Sequence, residues 1–134
     1  MSGLVLKLSP RERVLINGAV IENGERRSRI NIVSPNANIL RLRDAIHPEE
    51  ANTPVKRICY ITQLILSGDV DTEVARRQLL TGVEQLSQVF KDPDSREILA
   101  IATSHLVEAN YYPALKTLRS LLDREERLLA VQMS

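Results

Sequence analysis

Along the first 43 residues apolar and polar positions alternate, and turn formers break the alternation at short intervals, which predicts short β-strands. In "GLVLKL", Leu4, Leu6 and Leu8 share one face. "SPRE" follows as a turn, and "RVLI" leads into Asn17-Gly18, a pair that tolerates the positive φ angles of a tight hairpin. "AVIE" leaves that turn and meets a second such pair, Asn23-Gly24, expected to turn the chain again. "RRSRINIV" sets Ile30 and Ile32 on one face against Arg27, Arg29 and Asn31 on the other, and after "SPNAN" the run "ILRLR" sets Ile39, Arg41 and Arg43 opposite Leu40 and Leu42. Residues 1–45 therefore read as a five-stranded antiparallel unit, a small barrel or meander.

After residues 46–52, an acidic linker containing "HPEEAN", the period becomes helical. Thr53 and Pro54 form a start signal and Gly68 a stop, with Val55, Ile58, Ile61, Thr62 and Ile65 facing inward. A second helix is expected from Asp71 to about Phe90, with Leu79, Val83, Leu86 and Phe90 inward and Arg76, Arg77, Glu84 and Gln88 outward. A third runs from Pro93 or Asp94 to about Asn110, and a fourth from Pro113 to about Leu122; "DREERLLAVQMS" either extends the last helix or frays. Short loops between four helices predict an antiparallel bundle over residues 53–134, so the chain is expected to be α+β.

Composition narrows the classes. At 134 residues, 43% hydrophobic and 26% charged, the chain is of single-domain size and ordinary globular make-up. The single cysteine, Cys59, excludes an internal disulfide, and two histidines, His47 and His105, offer no metal-ligand spacing. No apolar run approaches the ~20 residues of a membrane span, and the N-terminus lacks the pattern of a signal peptide, so a cytoplasmic location is expected. The net charge of +1 conceals a division. Residues 1–57 carry ten Lys+Arg against six Asp+Glu, whereas residues 58–134 carry eight against eleven.

That basic excess raises a specific chemistry. Lys7, Arg11, Arg13, Arg26, Arg27, Arg29, Arg41 and Arg43 lie on or beside the predicted strands, and guanidinium forks pair with phosphate oxygens. The plainer alternative is a solvated strand face whose charge blocks edge-to-edge aggregation. No Phe, Tyr or Trp precedes Tyr60, so the basic half has no aromatic platform on which bases would stack. Tyr111 and Tyr112 are expected to pack at a helical corner, and Cys59 to be a buried small residue rather than a nucleophile. No catalytic constellation, metal cluster or phosphate-cradling glycine loop is visible, so neither an enzyme nor a cofactor is indicated.

Three stretches carry a resemblance: "LINGAVIENGERRSRINI" (15–32), "TPVKRICYITQLIL" (53–66) and "YYPALKTLRSLLDREERLL" (111–129). In that order and at those separations they resemble the FlbT family, the flagellin-synthesis regulators of alphaproteobacteria. The resemblance implies a post-transcriptional regulator acting at the 5′ untranslated region of flagellin mRNA, lowering translation or message lifetime until the hook is complete. Some members act positively. It also implies a helical half that engages flagellin or FlaF, the regulator paired with this family. The order "LVLKL", "RERVLING", "RRSRINIVSPNANILRLRDAI" is similar in part to the carbon storage regulators, with Leu6 and Arg43 at that family's RNA-contact positions. There the dimer shares strands, which makes a homodimer an expectation. The basic pair following that family's first strand is replaced here by Leu8-Ser9. The competing reading is a protein adaptor or chaperone-like module without direct RNA contact.

Overall fold

The structure, a computed structural model, describes residues 3–133. Five strands precede the helices: β1 (Leu4–Leu8), β2 (Arg13–Ile16), β3 (Ala19–Glu22), β4 (Ser28–Ile32) and β5 (Ile39–Arg41). They divide between two antiparallel sheets instead of closing into one barrel: β1 pairs with β4, and β2 lies between β3 and β5. Leu6 and Leu8 of β1 are buried, as alternation requires, while Leu4 at the strand's open end is partly exposed.

The two Asn-Gly pairs behave differently. Asn17 and Gly18 take φ angles of 48° and 86°, the left-handed pair that a tight hairpin needs, and close β2 onto β3. Asn23-Gly24 does not turn this way. The left-handed residue in that corner is Arg11 (φ 61°), and Asn23 works through its side chain: its amide donates to the carbonyls of Ser9 (2.7 Å) and Arg26 (2.9 Å), and its oxygen accepts from Ser28 Oγ (2.6 Å). It staples the loop before β4 to the end of β1. The run "ILRLR" also departs from simple alternation. β5 ends at Arg41, residues 42–44 coil into a 3-10 turn, and Ile39 and Leu40, which project from opposite faces of the strand, are both buried.

Five helices follow: α1 (Pro54–Ser67), α2 (Thr72–Val89), α3 (Pro93–Val107), α4 (Tyr111–Arg119) and α5 (Leu122–Met133). Thr53, Asp71 and Asp92 cap the first three, each accepting a hydrogen bond from the backbone N–H three residues on. Gly68, at φ 80°, ends α1 in the left-handed conformation where a Cβ is penalised. Gly82 sits inside α2 for a packing reason: a Cβ there would lie 2.1 Å from Ile58 Cδ1, so its absence lets α1 and α2 approach.

The final segment neither extends α4 nor frays. The chain breaks at Ser120-Leu121 and resumes as α5, whose Glu125 reaches the start of α1, accepting from the Val55 N–H (2.8 Å) and the Thr53 hydroxyl. That carboxylate supplies an acceptor to a helix start whose N–H groups have no partner within the helix. Arg76 corrects the expected outward face of α2: it is half-buried, and its Nη1 donates to the Val107 carbonyl (3.4 Å).

Strands and helices share one apolar core. Leu6, Leu8, Val14, Ile39 and Leu40 join Val55, Leu66, Leu79, Leu106 and Leu118 in a single cluster. The seam is also fastened by polar contacts: Gln63 bonds the backbone of Ile46 in both directions (2.7 and 3.0 Å), and Arg119 Nη1 donates to the Asp44 carbonyl (2.8 Å). No helix among the described residues is long and apolar enough to cross a membrane.

Candidate nucleic-acid interface

The eight cations of residues 1–45 separate according to what neutralises them. The first group surrounds Glu12, the sole carboxylate of the first 21 residues. Because β2 alternates, Glu12 projects on the same side as Val14, and in the β2–β5 ladder Val14 lies opposite Arg41. Continuing that register places position 43 opposite Glu12, so Arg41 and Arg43 both fall beside it. Arg41 meets the carboxylate with both prongs of its fork, Nε at 2.7 Å and Nη2 at 2.9 Å, and Nη2 also donates to the Lys7 carbonyl. The Ser9 N–H donates to Glu12 Oε1 at 2.9 Å, and Arg43 Nε stands 3.6 Å from Oε2.

The Glu12 side chain is only 4% exposed and that of Arg41 13%. The Arg41 hydrogen bonds hold the Glu12 carboxyl down at about 2, overcoming the opposing effect of its burial. Arg41 is thus committed to the fold: its bidentate fork ties β5 to the corner after β1 and is not presented to solvent. Arg43 remains about half exposed, at the edge of this knot.

Arg11 and Arg13 form a second group. Arg13 pairs with Glu22 across the β2–β3 ladder (2.9 Å), while Arg11 pairs with Glu25 (2.9 Å) and lies 4.0 Å from Glu22. These are exposed pairs, with charge already balanced.

Lys7, Arg26, Arg27 and Arg29 form the third group, and none makes an ion pair among the described residues. Lys7 and Arg29 face each other directly across the β1–β4 ladder. In antiparallel strands opposed residues project on the same face, so two like charges stand side by side on the exposed side of the ribbon. Such an arrangement costs stability unless an anion shares it. Arg27 completes a shallow concavity of about 390 Å3 with Lys7, Arg29, Ser9 and Ser28. What the fold assembles is a compact cationic face, suited to phosphate oxygens and without acid–base machinery.

Sequence reading missed Glu12, which it placed in a turn. The signal was present in the period: Glu12, Val14 and Ile16 share a face, so a buried Val14 implies an inward Glu12 in need of a cation. Tyr111, Tyr112 and Cys59 are buried as expected, and burial pushes the Cys59 thiol up to about 12, leaving it unreactive at neutral pH. No group of three or more His, Cys, Asp or Glu side chains is arranged to hold a metal among the described residues.

Comparison with known proteins places these features in context. The model of the family described as "Flagellar protein FlbT" matches residues 4–129. A Rhodopseudomonas palustris protein named as a probable flagellum biosynthesis repressor is 36% identical over 129 residues, covering 95% of this chain and 98% of its own. The Caulobacter vibrioides flagellum biosynthesis repressor is 28% identical over 126 residues, covering 94% and 89%. A Bradyrhizobium diazoefficiens relative, similarly named, is 34% identical over 131 residues, covering 93% and 84%. No solved structure matches the chain.

Proposed function

The chain belongs to the FlbT family of flagellar proteins, and we propose that it regulates flagellin synthesis after transcription by binding the 5′ untranslated leader of flagellin mRNA. The face that binds is the outer side of the β1–β4 ribbon, with Lys7, Arg27 and Arg29 on phosphates and Arg26 beside them. One observation carries this reading: while Arg11, Arg13, Arg41 and Arg43 are matched by carboxylates, the fold sets Lys7 against Arg29 with no counter-ion among the described residues. Action is by occlusion. The bound leader is held in an untranslatable form, and cellular ribonucleases perform any decay.

Titrating a labelled flagellin leader with the full-length protein at two salt concentrations tests this. Replacing Arg26, Arg27 and Arg29 together by alanine is expected to weaken binding and flatten its salt dependence. Unchanged affinity in that variant removes the site assignment. Failure of well-folded wild-type protein to bind the leader removes the function.

A second reading makes the helical half an adaptor for flagellin or FlaF. The observation favouring it is a cavity of about 600 Å3 between α1 and α2, with Ile58, Ile61 and Leu86 in its floor and Arg57 and Arg77, neither ion-paired among the described residues, on its rim. Retention of either partner by the full-length chain, lost on Arg57→Glu/Arg77→Glu, would support this adaptor role; no retention would count against it.

A further inference from the structure

Another cavity, of about 610 Å3, lies at the opposite end of the β1–β4 ribbon from the cationic concavity, between Leu4 and Ile32, the turn of residues 33–38 and the α3–α4 corner. Its walls are shaped by two left-handed residues, Asn36 (φ 57°) and Ala109 (φ 60°), which reverse the chain on either side. Gly3 closes one end, so near β4 that a Cβ would stand 1.9 Å from the Ile32 carbonyl oxygen.

Three features define what the cavity accepts. Pro35, Pro113 and Tyr112 give it flat apolar walls, with Lys116 Nζ at the rim, 5.6 Å from the centre of the Tyr112 ring. Asn36 and Asn38 line it, and their carboxamides have no hydrogen-bond partner among the described residues. No carboxylate among the described residues lines it. A nucleobase is complementary to each feature: apolar faces for the walls, an edge of donors and acceptors for the carboxamides, and an attached phosphate for the lysine. An apolar peptide side chain would fill the space but bury both carboxamides unpaired, an unfavourable exchange.

We propose that this cavity seats one unpaired base of the bound RNA strand. The inference rests on the RNA-binding reading above and adds a point of sequence discrimination to a face that otherwise reads only charge. Leu4 lies three residues from Lys7 along β1, about 10 Å at the rise of a strand. A phosphate on Lys7 and Arg29 and a base in the cavity therefore belong to nearby nucleotides of one strand rounding the ribbon's end.

An abasic scan of the labelled flagellin leader, one nucleotide at a time, tests the proposal with full-length protein. Wild type is expected to lose about tenfold in affinity at one position, the scale of a single well-held base. Asn36→Gly, which keeps the left-handed backbone, and Asn38→Ala are each expected to reduce that loss to about twofold or less. Lys7→Ala/Arg29→Ala instead weakens every leader alike. A flat scan with the leader still bound overturns the base site while leaving the RNA-binding reading standing, as does a sensitive position unchanged in both cavity variants. If the intact leader does not bind, both fall together.

Discussion

The knot around Glu12 and the open face around Lys7 are built from the same residue types, within the same 43 residues, yet do opposite work. In the knot, a buried carboxylate consumes the fork of Arg41 and draws in Arg43. On the ribbon, Lys7 and Arg29 are opposed with nothing between them. A cation's role in this protein follows from whether the ladder places a carboxylate beside it. The distinction has an energetic sign: breaking the knot costs stability, whereas removing the open charges relieves repulsion.

The largest expected effect comes from Glu12→Ala, which leaves a guanidinium mostly buried without its partner and should cost about 3 kcal/mol in urea unfolding. A loss below about 1 kcal/mol would show that the knot is a surface pair in disguise.

Acid titration sharpens the same point. The folded chain holds the Glu12 carboxyl at about 2 against an ordinary value of 4.5, so its contribution is fully present above the ordinary value and drains away as the pH falls toward about 2. Stability of the wild type should therefore fall more steeply across this window than that of Glu12→Gln. Parallel pH profiles would remove Glu12 as a source of acid sensitivity.

Arg41→Lys keeps the charge but loses the planar fork, and is expected to cost 1 to 2 kcal/mol, about the value of the hydrogen bonds it cannot reproduce. A silent substitution would mean that charge alone holds the corner. On the open face the expectation reverses. Lys7→Ala/Arg29→Ala should leave thermal stability unchanged or raised by a few tenths of a kcal/mol, while the slope of log affinity against log salt for the leader shrinks by about 0.7 per cation removed. Smallest of all is Arg13→Ala, whose exposed pair with Glu22 should be worth under ~0.5 kcal/mol by the same unfolding measurement. A larger loss would move Arg13 into the structural set.

Much of the fold was legible in the chain. The period of two in "GLVLKL" and "RVLI", the Asn17-Gly18 turn and the Thr53, Asp71 and Asp92 caps are local signals, and local backbone preferences suffice to read them. Asn23-Gly24 shows the limit: the same dipeptide that turns at one position staples at another, because its side chain finds the carbonyls of Ser9 and Arg26. Glu125 shows it again, since a cap arriving from 70 residues away leaves no trace in the spacing around Val55.

By itself the sequence determined the order of the five strands and the first four helices, the excess of cations in the first half and the family, all of which are written in period, composition and motif. Only the tertiary structure decided which of eight cations are committed and which are open, because that depends on strand register, and register is set by long-range pairing. β2 could have met its neighbours one residue out of step with the same local sequence. It does not, because Val14 and Ile39 are both buried and must share one face of the ladder, and the register that puts them there sets Arg41 on the side of Glu12. The pairing of β1 with β4 in turn leaves Lys7 and Arg29 together and bare.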